Sequence, residues 1–139
     1  MIITDSGFWV ALVNPDDHHH SLAVDALSNV EEPLITTYPV ITEVCHLLLK
    51  RRGVKTMLAF MASYQRDAFS VFQIDGAKDR QRIVTLMQQY ADLPMDFADA
   101  SLVLLAEYLG HGRVLSTDKR DFHTYRWKNT QPFSNLLCL

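Results

Sequence analysis

"MIITDSGFWVALV", residues 1–13, reads as two elements joined without a linker. Ile2 and Ile3 suit a short buried strand that ends at Asp5. "SGFWVALV" then forms a short helix, which "NPDD" at 14–17 punctuates. A strand that passes into a helix is the building unit of an α/β fold, and strands and helices alternate along the remaining chain.

"DDHHHSLAVDALSN" (16–29) carries Leu22, Ala23, Ala26 and Leu27 at helical spacing. "PLITT" (33–37) is a second short strand. "YPVITEVCHLLLKRRG" (38–53) is a strong helix, with Pro39 in its first turn and Gly53 as its stop. "VKTMLAFMASYQRD" (54–67) is helical, and "FSVFQID" (69–75) alternates as a strand does. "GAKDRQRIVTLMQQYAD" (76–92) and "LPMDFADASLVLLAEYLG" (93–110) supply two more helices. "GRVLSTD" (112–118) is a strand ending at Asp118. "KRDFHTYRWKN" (119–129) is a turn or short helix, and "PFSNLLCL" (132–139) supplies a last edge element. The crossovers are long enough for parallel pairing. The fold class is therefore α/β, one domain over 1–139, with a mainly parallel sheet covered by helices on both faces. In such folds ligands bind beyond the carboxyl ends of the strands, at a topological switch point.

The acids fall where that rule needs them. Asp5 and Asp118 end the first and last clear strands. Each also suits an N-cap or an Asx turn. Glu43 stands in the helix after the second strand, at the rim of its apolar stripe, where His46 and Lys50 can partner it. Asp96 suits an N-cap and Asp99 the N3 position behind it. Yet Asp99 shares a helix face with Leu102, Val103 and Ala106, so covering that face buries a carboxylate. Asp121 follows Asp118 by three residues. Carboxylates gathered in one cleft repel and raise one another's pKa. A divalent cation removes the conflict, and Mg²⁺ takes hard oxygen ligands and serves phosphate chemistry.

Composition adds boundaries. A 48% hydrophobic share over 139 residues allows a real core, and a net charge of −3 excludes a global basic field. It leaves room for local basic residues. Lys50, Arg51, Arg52 and Lys55 form one cluster and Lys119, Arg120, Arg126 and Lys128 another; both read as solvated surface. Cys45 and Cys138 match no metal spacing, and Cys45 reads as a buried thiol, which suits a reducing, cytoplasmic setting. Met1 runs straight into the first strand, so no signal peptide is expected. No stretch reaches the length of a membrane span. "DDHHHS" (16–21) looks like a metal motif, but adjacent residues on a helix point about 100° apart. His18, His19 and His20 therefore read as a solvated helix start. Trp9 reads as core, and Trp127, between Arg126 and Lys128, as a weaker candidate for base stacking.

Taken together and in order, these acidic positions resemble the PIN-domain family. "IITDSGFWVAL" resembles its first motif, "ITEVCHLL" its second, "ADASLVLLAEYLG" its third and "VLSTDKRDF" its fourth. The resemblance covers nearly the whole chain. It implies Asp5, Glu43, Asp99 and Asp118 as metal ligands, with Asp121 also catalytic. Ser6 and Thr117 would support the cofactor from behind. It further implies Mg²⁺ or Mn²⁺ as cofactor, RNA as substrate, and phosphodiester hydrolysis that leaves a 5′-phosphate without a covalent intermediate. Small members are usually VapC-like toxins, which implies a homodimer and an antitoxin partner whose segment enters the acidic cleft. Two other readings compete. A Mg²⁺-dependent phosphatase or phosphotransferase also uses acids at strand ends, but the aspartyl-phosphate type wants Asp-x-Asp where this chain has "DSG". A non-catalytic module that grips RNA or protein predicts a missing acid, and none is missing.

Overall fold

The computed structural model describes residues 1–137. Its elements in chain order are β1 (Ile2–Thr4), α1 (Ser6–Val13), α2 (His20–Asn29), β2 (Leu34–Thr37), α3 (Tyr38–Arg51), α4 (Val54–Gln65) and β3 (Ser70–Phe72). They continue with α5 (Gly76–Gln89), α6 (Phe97–Leu109), β4 (Arg113–Leu115), α7 (Lys119–Thr124), β5 (Arg126–Trp127), β6 (Gln131–Pro132) and β7 (Ser134–Asn135). The main sheet has the order β3-β2-β1-β4-β7, and each of its neighbouring pairs is parallel. Helices flank it, as the α/β reading expects.

The order explains where a site belongs. From β1 the chain steps outward to β2 and β3, then returns across the sheet to β4 on the other side of β1. Right-handed crossovers put the helices of the outward and return journeys on opposite faces. The switch point therefore lies between β1 and β4, at their carboxyl ends. α6 is the return helix and leads through Gly110 into β4, so it runs against the strands. Gly110 takes the left-handed C-cap conformation with φ 77°. The first turn of α6 consequently lies at the same sheet edge as the ends of β1 and β4.

Packing around β1 and α1 fixes that edge. β1 and β2 are buried throughout. Unpaired hydroxyls would be costly there, and each finds a partner: Thr4 Oγ1 donates to the Ile35 carbonyl at 3.0 Å, and Thr36 Oγ1 donates to the Thr4 carbonyl at 2.9 Å. Trp9 Nε1 donates to Thr4 Oγ1 at 2.9 Å, so the core tryptophan anchors α1 to the sheet. Its ring lies 4.7 Å from Phe69 and 5.6 Å from Phe60, centroid to centroid, in a cluster that joins α1, α4 and the entry to β3. Trp9 is core, as its sequence context suggests.

Several boundaries differ from expectation, each for a local reason. The helix expected from residue 16 begins at His20, because the Asp17 carboxylate takes the His19 N–H at 2.9 Å and holds a turn. The final strand stops at Leu115, since Ser116 and Asp118 are drawn into the cap of α7. The tail does supply an edge strand: β7 runs beside β4, pairing Ser134 with Arg113 and Asn135 with Val114. A small antiparallel hairpin, β5–β6, turns through Lys128 and Asn129 at positive φ and was not anticipated. Trp127 donates Nε1 to the Pro132 carbonyl at 3.0 Å, which fixes its ring within this hairpin. Cys45 is half-buried with its thiol against Met61 Sδ; Cys138 lies outside the described residues. No helix among the described residues is long and apolar enough to cross a membrane.

Phe60 is fully buried in the aromatic cluster, far along the chain from the acids. Phe60→Ala is expected to lower unfolding free energy by about 3–5 kcal/mol, read from urea titration.

Candidate active site

The acid-bearing segments come from separate crossovers and converge on one cleft of about 490 Å³. Its lining includes Asp5, Glu43, Asp99, Asp118 and Asp121, with Ser6 and Thr117 beside them. Asp96 lines it as well. All seven residues singled out from the sequence thus meet at the switch point between β1 and β4.

Asp5 is only 5% exposed and holds two jobs at once. Its Oδ1 accepts the Phe8 N–H at 2.8 Å, capping α1, and its Oδ2 accepts a short hydrogen bond from Ser116 Oγ. The cap reading of this residue was therefore right, and so was its placement in the cleft. Gly7 makes the junction possible: a Cβ there would come within 2.0 Å of Thr117 Oγ1. Thr117 closes the floor against Gly7, while its neighbour Ser116 is the hydroxyl that reaches Asp5. No sequence signal separated Ser116 from Thr117.

Glu43, half-buried on α3, accepts a short hydrogen bond from Ser6 Oγ. Ser6 is thus the partner, rather than Lys50; His46 contributes only a favourable field that lowers the Glu43 pKa. Asp99 Oδ2 accepts from the buried Tyr125 hydroxyl at 3.2 Å. Asp96 Oδ1 accepts the Asp99 N–H at 2.8 Å, the expected cap of α6, and its charge also bears on Glu43 and Asp99. Asp118 Oδ1 accepts the Asp121 N–H at 2.9 Å, capping α7. Asp121 helps to raise Asp118, and Asp96 helps to raise Glu43.

Burial and mutual repulsion set the electrostatics. Burial pushes Asp5 up to about 7 against the lowering effect of Ser116 and the Phe8 N–H, and the charges of Asp118 and Glu43 add to the rise. Asp99 rises to about 8, first through burial and then through the charge of Asp96. Burial also raises Glu43 and Asp118. Such a set favours either protons or a cation. Its chemistry fits a hard divalent ion: all donors are carboxylate oxygens. Among the described residues, Asp99 Oδ1, Asp118 Oδ2 and Glu43 Oε2 accept no hydrogen bond from a protein donor. The side chains are not closed into a ligand shell, however; among the described residues no three His, Cys, Asp or Glu side chains stand in metal-holding array.

Two further walls were not read from the sequence. Asp17, His18, His19 and Arg51 line the same cleft. His18 and His19 lie in the turn before α2, so the helical divergence expected of adjacent histidines does not apply to them. Arg51 is exposed, as expected of a solvated charge, and also lines the cleft. Next to the cleft, sharing Glu43 and Asp96, lies an apolar trough walled by Tyr38, Phe72 and Phe97.

Comparison with known proteins agrees with this architecture. The family model described as "PIN domain" matches residues 2–128. Ribonuclease VapC26 of Mycobacterium tuberculosis is 23% identical over 125 residues, which span 90% of this chain and 92% of that protein. The crystal structure of M. tuberculosis VapC20, a Sarcin-Ricin loop cleaving toxin, superposes with a TM-score of 0.83 at 22% identity. The superposition covers 95% of this chain and 100% of VapC20, and it shows a shared fold.

The raised carboxylates make stability depend on pH. Between about pH 4 and pH 8 the folded state retains protons on Asp5 and Asp99 that the unfolded chain has released. Their contribution is complete below that window and is lost as pH rises through it. In chelator, Tm is expected to fall by on the order of 5 °C as pH rises from about 6 to about 8. Asp99→Asn is expected to flatten that slope and raise Tm at the alkaline end, read by differential scanning calorimetry.

Proposed function

The chain belongs to the PIN-domain family, and from that premise we propose that it is a metal-dependent endoribonuclease, the toxin of a toxin–antitoxin pair. The observation that carries the reading is the convergence of five acids from distant segments on one cleft at the sheet's switch point. The names of VapC26, a ribonuclease, and VapC20, a Sarcin-Ricin loop cleaving toxin, support the substrate class.

In this reading Asp5, Glu43, Asp99 and Asp118 would hold Mg²⁺, or Mn²⁺, and Asp121 would complete the acidic wall. The ion, when bound, supplies positive charge to the scissile phosphate and to the departing oxygen. The chain's own residues prepare the geometry. The Phe8 N–H and Ser116 lock Asp5, Ser6 orients Glu43, and Tyr125 orients Asp99, so the carboxylates need little reorganisation when charge develops. A carboxylate of the set accepts a proton from the attacking water. Water adds at phosphorus, the bond to the 3′-oxygen breaks as that oxygen takes up a proton from solvent, and the products carry a 5′-phosphate and a 3′-hydroxyl. Ser6 and Thr117 act behind the carboxylates, Ser6 through its bond to Glu43 and Thr117 by packing on Gly7.

We place the protein in the cytoplasm, where its RNA substrate is found, as a homodimer held in check by an antitoxin whose segment enters the same cleft. The test is cleavage of a labelled single-stranded RNA. Mg²⁺ or Mn²⁺ is expected to support cleavage to 5′-phosphate ends, and EDTA to abolish it. Asp99→Asn, folded by circular dichroism, is expected to lose about 10²-fold or more in kcat. Phosphate release from a small phosphomonoester with RNA untouched would favour a phosphatase instead.

A further inference from the structure

We infer that Arg51, His18 and His19 form a backbone-phosphate grip for the RNA on the rim of the acidic cleft. The inference rests on the nuclease reading and adds the groups that make a negatively charged cleft able to hold a polyanion. Seven carboxylates line the cleft, Asp17 on the histidine loop among them, and even one bound divalent ion leaves a net negative wall. Flanking phosphates then need cations or donors of their own at the edge.

Arg51 stands in the last turn of α3, one helix face along from Glu43, and lines the cleft. Its side chain makes no ion pair within the described residues, whereas the neighbouring Arg52 pairs with Asp16. A guanidinium presents paired donors that match two phosphate oxygens.

The two imidazoles come from the α1–α2 connection, and that connection is built to hold them. Asn14 is buried and its Oδ1 accepts the Asp16 N–H at 3.1 Å. The Asp17 carboxylate takes the His19 N–H, and the Arg52–Asp16 pair ties the loop to the end of α3. His20 Nδ1 sits 2.7 Å from the Ala11 carbonyl, which spends that histidine on anchoring α2. His18 and His19 differ: their rings meet edge to face at 4.9 Å, both line the cleft, and neither ring bonds to a protein partner among the described residues. Two imidazoles and one guanidinium, carried on an anchored loop and a helix end, therefore line the same cleft as the carboxylates. Their role is positioning. They hold phosphates beside the scissile one and read no base, so they act on affinity and not on the chemical step.

The experiment separates this grip from the nuclease reading. Binding of a short fluorescent single-stranded RNA is followed by anisotropy in the cleavage-dead Asp99→Asn protein over a range of KCl concentrations. Adding Arg51→Ala is expected to weaken binding roughly ten-fold and to make the log–log salt slope shallower by about 0.7. Arg51→Lys recovers part of the loss, and Arg51→Met, which keeps the stem, does not. His18→Gln with His19→Gln weakens binding roughly three-fold, and Lys55→Ala, outside the cleft, changes nothing. In the otherwise wild-type enzyme, Arg51→Ala raises KM and leaves kcat within about two-fold. Unchanged affinity and salt slope in folded Arg51→Ala and Arg51→Met proteins would overturn the grip, as would failure of the parent to bind RNA. RNA binding that depends on Arg51, in a wild-type protein that cleaves no RNA, would leave the grip standing and sink the nuclease reading.

Discussion

Asp5 joins three parts of the molecule through one carboxylate. Its backbone ends β1, one oxygen caps the helix that follows, and the other is held by Ser116 at the end of β4. Replacing it with an apolar residue would leave the Phe8 N–H and the Ser116 hydroxyl without a partner in a buried place, a cost of about 1–3 kcal/mol for each group. The cleft takes its position from that junction. β1 and β4 are neighbours only because the chain returns across the sheet, and the gap between their carboxyl ends is the floor on which the other acids are arranged.

The same arrangement sets the fold against itself. Burial and like charge push the carboxylates toward their protonated forms, while the proposed chemistry needs them ionised. Local donors offset part of the cost: Ser6 for Glu43, Tyr125 for Asp99, a backbone N–H for Asp118. The rest is left for a cation to remove. Core packing on the far side of α1, where Trp9, Phe60 and Phe69 interlock, supplies stability that does not depend on the state of the cleft.

Sequence pattern made the architecture and the acids legible because both depend on periodicity and on position at strand ends. Parallel strands read as short apolar runs, helices as longer periodic ones, and an aspartate after a strand marks the carboxyl edge. What stayed hidden depends on side-chain direction and loop shape. Whether Ser116 or Thr117 reaches Asp5 is a matter of which way a turn points. His18 and His19 were assigned helical geometry, yet the Asp17 turn ends that geometry before it starts. Arg51 and Arg52 are adjacent, and only the trajectory of the loop from Asn14 decides that Arg52 pairs with Asp16 while Arg51 lines the cleft. The β5–β6 hairpin is two residues per strand and carries no periodic signal at all.

The bond between Ser116 and Asp5 spans 111 positions of chain. Asp5 and Ser6 find Glu43 and β2 within the first 43 positions, but the hydroxyl that holds Asp5 lies 111 positions further on. No N-terminal fragment, however well it packs its own helices, contains both walls of the cleft. The cleft is therefore completed in a single step, when the stretch from Ser116 to Asp121 takes its place beside β1.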